Sequence, residues 1–223
     1  MTNAARSARP PLRRADLRRM REALDDAAPA TILTVCTGNI CRSPMGEVLL
    51  RASLSDAGVR VHSGGTHALV DHEMTEQAQQ LAVTHGADAT DSSAHRARLL
   101  TEALLNESDL ILAMAREHRS HIVQMAPAVL HRTFTVREFA RLAATLTDDD
   151  VRGGVAAAGS DAGARLQALA RLVGGQRGMV PAQPDEDDVI DPYRRSQNTY
   201  DLSASQLVPA VAEVERVVRV ALG

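Results

Sequence analysis

The chain has no lysine, no tryptophan, two cysteines and only 2% aromatic residues in 223 positions. Each shortage excludes something. Cys36 and Cys41 are too few to staple a chain of this size with disulfides, and too few to make a thiolate zinc site, which takes about four ligands. No stretch approaches the ~18 consecutive apolar residues of a membrane-spanning helix. Seven arginines lie within the first 21 positions, but no apolar run of secretory-signal type follows them. The expectation is therefore a cytoplasmic protein with no membrane insertion. Without lysine, all 25 basic residues are arginine; they are outnumbered by 28 acidic ones, for a net charge of −3. No overall basic surface results, so nucleic acid is not an expected partner.

What is present reads as one domain with additions. Residues 1–30 are rich in arginine and poor in core-forming side chains, which predicts a mobile extension. From residue 31 the pattern changes. The run TILTV at 31–35 is of strand length and breaks into Thr37-Gly38-Asn39, a turn sequence. Ser43-Pro44 then opens a helix, serine in the capping position and proline first inside, which Gly58 stops. Short strands are predicted at 59–61, 109–114 and 132–136, with helices at 75–85, 101–107, 116–125, 137–146 and 198–220, the last containing Pro209. Strands alternating with helices imply a parallel sheet covered on both faces. The expected fold is an α/β three-layer sandwich with a four-stranded parallel sheet and a phosphate loop after the first strand. Residues 147–184, with three consecutive aspartates, paired glycines and one helical stretch at 162–173, read as an insertion in the domain at 31–223. It is expected to form a lid or partner site beside the loop.

The segment Cys36-Thr37-Gly38-Asn39-Ile40-Cys41-Arg42-Ser43 puts a cysteine and an arginine at the two ends of a loop between a strand and a helix N-terminus. Backbone N–H groups of such a loop can turn inward as an anion nest, and the helix adds partial positive charge on the same side. Arg42 supplies a planar fork matched to two phosphate oxygens. Gly38 and Asn39 tolerate the left-handed backbone that a tight cradle requires. The same positive field favours the thiolate of a cysteine, and Ser43 can hydrogen-bond the sulfur.

With the strand before it and Ser43-Pro44 after it, this loop resembles that of the low-molecular-weight protein tyrosine phosphatases of bacterial type. The resemblance covers nearly all of residues 31–146 and 187–222. It implies a cysteine-dependent phosphatase that hydrolyses phosphotyrosine in proteins through a phosphocysteine, without metal or cofactor. Cys36 would be the nucleophile and Arg42 the phosphate clamp. Asp191, in Asp191-Pro192-Tyr193 just before the last helix, would be the general acid. Thr37, Gly38, Asn39, Ile40, Cys41 and Ser43 would bind phosphate. Ser63, in Ser63-Gly64-Gly65-Thr66, and His95, which would hydrogen-bond Asn39, would support the loop; Leu69 and Tyr193 would wall the ring pocket. By the same resemblance Cys41 could form a protective disulfide with Cys36. Asp187 and Asp188 are competing acids, expected to face solvent, and His62, His67, His72 and His85 are expected on the surface or in turns.

The implied partner is a phosphotyrosine protein, with a bacterial tyrosine kinase of polysaccharide export as one candidate. Three other readings share the fold. An arginine phosphatase would carry threonine where Ile40 stands, an arsenate reductase would need further relay cysteines, and a non-catalytic phosphotyrosine-binding module would have no use for Cys36 with a distant acid. Where eukaryotic relatives carry a second tyrosine, this chain has Arg194, and the pair Arg194-Arg195 suits acidic residues flanking a phosphotyrosine.

Overall fold

The computed structural model describes residues 29–181 and 186–223. The predicted N-terminal extension therefore lies almost wholly outside the described residues. Four parallel strands, β1 (Ala30–Cys36), β2 (Val59–Gly65), β3 (Leu110–Ala113) and β4 (Thr133–Thr135), form one sheet in the order β2-β1-β3-β4. Because side chains alternate along a strand, Ile32, Leu110 and Leu112 enter one apolar cluster while Leu33, Val35, Ile111 and Ala113 enter a second. Both faces are thus buried, which is why these strands read as continuous apolar runs.

The first cluster is closed by α1 (Arg42–Ser53), α2 (Glu76–Thr84), α6 (Val136–Ala143) and the long α9 (Gln197–Leu222). Between α2 and the second cluster's helices comes the short α3 (Ala89–Ala94), capped by the Asp88 carboxylate, which periodicity had not flagged. The second cluster is closed by α4 (Glu102–Asn106) and α5 (Arg116–Met125) through Leu105 and Ile122. The chain leaves β1 for β2 on one side and later returns to β3 on the other. The loop after β1 therefore sits at the switch point of the sheet, where α/β folds open a crevice at the carboxyl ends of their strands.

Two expectations need correction. Ser43 does not cap α1: the helix starts at Arg42, and Cys41, its N-cap, makes no side-chain cap. The Ser43 hydroxyl is turned to the Cys36 sulfur, while its carbonyl accepts from Thr34 Oγ1 at 2.8 Å. The 147–181 segment is not a lid. It forms α7 (Asp148–Val155) and α8 (Ala162–Gly175), whose Val151, Val155, Leu166, Leu169 and Val173 are fully buried in the first cluster. At the start of α8, Gly163 abuts Asp109, which precedes β3, and Gln167 Nε2 donates to Asp109 Oδ1 at 2.8 Å. This segment covers the amino ends of the strands, opposite the loop, because its apolar residues repeat at helical spacing and demand burial.

Candidate active site

The carbonyls of residues 36–40 are each held by a hydrogen bond from outside the loop. The carbonyls of Cys36, Thr37 and Gly38 accept from the N–H groups of Thr66, His67 and Leu69 at 2.9, 3.0 and 3.0 Å. The Asn39 carbonyl is bonded to His95 Nε2 at 2.8 Å. The Ile40 carbonyl accepts from Thr75 N–H at 2.9 Å, and that of Cys41 from Met45 N–H at 3.1 Å. Five successive carbonyls are thus bonded outside the loop and the Cys41 carbonyl takes the first-turn bond of α1, which leaves the intervening amides to the hollow. Among the described residues the amides of Gly38, Ile40 and Cys41 have no acceptor, while Asn39 N–H points to Cys36 Sγ at 3.3 Å. Asn39 holds φ 57°, a left-handed conformation that asparagine tolerates.

A buried polar network fixes this shape from behind. Asn39 Nδ2 donates to Ser63 Oγ at 2.7 Å and Ser43 Oγ at 3.0 Å, and its Oδ1 accepts from Arg98 N–H at 2.9 Å. Glu47, only 3% exposed, accepts from Ser63 Oγ, faces His95 Nδ1 at 3.5 Å and pairs with Arg51. Burial alone would raise the Glu47 pKa; the hydrogen bonds from His95 and Ser63, with the Arg51 charge, outweigh it and hold the carboxyl below its ordinary range.

The residue pattern does not mark Glu47, which sits among the apolar positions of α1. Nor does it single out His118, on α5. This histidine is 2% exposed, its Nε2 lies 2.9 Å from Thr37 Oγ1, and its Nδ1 has no partner among the described residues. Burial, with the nearby Arg42 charge, pushes its pKa down to about 3, so it is neutral near pH 7.

In the hollow, Cys36 Sγ lies 2.9 Å from Ser43 Oγ. Arg42, 5% exposed, donates from Nη1 to the Val189 carbonyl at 3.0 Å and pairs through Nη2 with Asp191 Oδ2 at 2.9 Å. Its buried Nε has no partner among the described residues. Asp191 is brought here by a loop pinned on both sides: Val189 N–H donates to the Met114 carbonyl at 2.8 Å and Ile190 N–H to Gln206 Oε1 at 2.8 Å. The competing acids are turned elsewhere. Asp187 is buried, not in solvent as expected, because Arg141 grips both its oxygens at 2.9 to 3.1 Å. Asp188 is held by Arg116 at 3.0 Å.

Cys36, Thr37, Gly38, Ile40, Cys41, Arg42, Leu69, Asp191 and Tyr193 all line one cavity of about 260 Å³, as do His67 and Arg194. His67 lies in an exposed turn, as expected, with its ring tilted against that of His121, centroids 5.7 Å apart. Ser63, His95, Asn39 and Ser43 stand behind this wall. Cys41 and Cys36 are both free thiols. Burial pushes the Cys41 thiol pKa up, and its sulfur lies 3.5 Å from Thr75 Oγ1 and 3.6 Å from the Tyr200 hydroxyl.

A parallel sheet whose first strand runs into an inward-facing amide loop between cysteine and arginine is the architecture of cysteine-dependent phosphatases. Residues 31–153 match the family model described as low molecular weight phosphotyrosine protein phosphatase, and the chain belongs to that family. It is 46% identical over 103 residues to the low molecular weight protein-tyrosine-phosphatase Etp of Escherichia coli, a match covering 46% of this chain and 66% of Etp, just under two thirds. A protein-arginine-phosphatase of Geobacillus stearothermophilus is 36% identical over 111 residues, covering 50% of this chain and 72% of that one. Among solved structures, the tyrosine phosphatase Wzb of Escherichia coli K30 with bound sulphate aligns with a TM-score of 0.56 at 27% identity, covering 83% of this chain and 96% of Wzb.

Proposed function

We propose that this protein hydrolyses phosphotyrosine in proteins through a phosphocysteine intermediate. The observation that carries this is the run of five outward-bonded carbonyls between Cys36 and Arg42, since it leaves amide donors converging where a phosphoryl group would lie. The phosphate dianion takes these amides and the Arg42 fork, whose pairing with the half-exposed Asp191 side chain is a weak competitor. Cys36 Sγ attacks phosphorus in line; the S–P bond forms as the bond to the tyrosine oxygen breaks. Protonated Asp191 gives its proton to that oxygen. Water then attacks phosphorus and yields a proton to Asp191, and the S–P bond breaks to free orthophosphate and the thiolate. Ser43 stabilises the sulfur in both steps. Leu69 and Tyr193 sandwich the ring, and Ser63, His95 and Glu47 keep the loop in shape.

Release of phosphate from p-nitrophenyl phosphate and from matched phosphotyrosine and phosphoarginine peptides, without added metal, tests this reading. Turnover preferring phosphotyrosine and absent in Cys36→Ser is the expected result. A preference for phosphoarginine would transfer the reading to the relative of that name; apolar Ile40 on the cavity wall favours the aryl group instead. No turnover of any substrate would leave a binding module. The setting we assign is cytoplasmic, and the substrate a phosphotyrosine protein with a bacterial tyrosine kinase of polysaccharide export as one candidate, checked by dephosphorylation of such a kinase in vitro. No helix among the described residues is long and apolar enough to cross a membrane.

A further inference from the structure

The guanidinium groups of the described residues mostly end on carboxylates, as in Arg42 on Asp191, Arg51 on Glu47, Arg141 on Asp187 and Arg216 on Glu213. Arg194 and Arg195, like Arg60 and Arg171, are exceptions. Both are exposed, and neither has a carboxylate or carbonyl partner for its side chain among the described residues. Arg194 also lines the cavity that holds Cys36 and Arg42.

Its backbone is unusual. The Arg195 N–H donates to the Pro192 carbonyl at 2.9 Å, closing a four-residue turn in which Arg194 is third with φ 59°. Turns with positive φ at that position ordinarily take glycine or asparagine. Non-glycine residues in sparsely populated conformations cluster at ligand clamps and active sites, where their surroundings hold them. What the conformation achieves is visible: the Arg194 guanidinium carbon lies 5.1 Å from the centroid of the Tyr193 ring, within cation–π range. The wall of the ring pocket is thereby topped by a cation that no carboxylate among the described residues neutralises.

A phosphotyrosine entering between Leu69 and Tyr193 carries its peptide neighbours past this cation. We infer that Arg194 is a specificity-determining residue that binds an anionic side chain, a carboxylate or a second phosphate, next to the phosphotyrosine in the substrate. The inference rests on the phosphotyrosine reading above. Arg42 serves the reacting phosphate and Arg194 its flank, so one substrate engages both.

The experiment measures kcat/KM for three phosphotyrosine peptides flanked by aspartate, by a second phosphotyrosine or by asparagine, each divided by the value for p-nitrophenyl phosphate. Wild type, Arg194→Lys and Arg194→Gly are compared; glycine suits φ 59°, so the turn is retained. Wild type should prefer the anionic peptides by about fivefold, the upper end for an exposed ion pair. That preference should shrink with added salt, survive in part in Arg194→Lys and vanish in Arg194→Gly. Preference for both anionic peptides assigns any anion; preference for the doubly phosphorylated peptide alone assigns the second phosphate. Equal preference in wild type and Arg194→Gly, or none in wild type, overturns the inference. Failure of the phosphotyrosine reading looks different: wild type would then turn over none of the phosphotyrosine peptides.

Discussion

At the end of β1 the Cys36 sulfur sits between the Ser43 hydroxyl and the Asn39 amide, with Arg42 and Asp191 across the hollow. Cys36→Ser should abolish turnover and any trapped phosphoenzyme. Asp191→Asn should lower kcat on phosphotyrosine by about 10²- to 10⁴-fold, the usual range for a lost general acid. The loss should be smaller on p-nitrophenyl phosphate, because p-nitrophenolate leaves without needing the proton; steady-state kinetics with both substrates checks this. His118 makes a different prediction. In the fold its pKa is about 3, below the ordinary 6.5, so the unfolded chain takes up that proton first as pH falls. Its contribution to stability is whole above pH ~6.5 and is lost progressively between there and pH ~3. Urea unfolding at pH 7, 5 and 4 should show a shallower decline for His118→Asn than for wild type.

At the scale of elements, the close approach of β2 to the loop decides one residue. A Cβ on Gly65 would lie 2.5 Å from the Thr37 carbonyl oxygen and 3.0 Å from Ala68. Both are backbone or tightly held, so Gly65→Ala must push the loop off the turn at Ala68. Since a shift of ~1 Å in a reacting group can cost about 10²-fold in rate, kcat/KM should drop steeply while circular dichroism stays near wild type. The extent of α7 was hidden by its glycine pair, although Thr147 and Asp150 form a capping box whose spacing is visible in the sequence. In α9, Pro209 lies inside a helix that continues through it, packed by Leu207, Ala210 and Val211; tertiary burial overrides the local break.

For the whole molecule, α7 and α8 share the first apolar cluster with the sheet and α9, while no residue of 147–181 lines the loop cavity. Leu169→Ala, at a fully buried position, should therefore cost about 2–5 kcal/mol of stability. Its kcat/KM, per folded molecule, should stay at the wild-type value. Denaturant unfolding and active-site titration together separate the two effects; a fall in kcat/KM of the folded fraction would tie this segment to the site after all.

The sequence by itself determined the local parts: the β1 run, the turn-forming Gly38-Asn39, the cysteine and arginine seven-residue span of the loop, and the alternation that makes a parallel sheet. These are legible because strand, turn and helix-start signals act between neighbours. Which acid meets Arg42 was indicated only by motif; geometry separates Asp191 from Asp187 because Arg141, forty-six positions away, claims the latter. Glu47, His118 and the docking of 147–181 were decided by the tertiary structure alone. Their partners lie far along the chain, His118 at 81 positions from Thr37, and a buried polar group takes its meaning from whatever the fold sets against it.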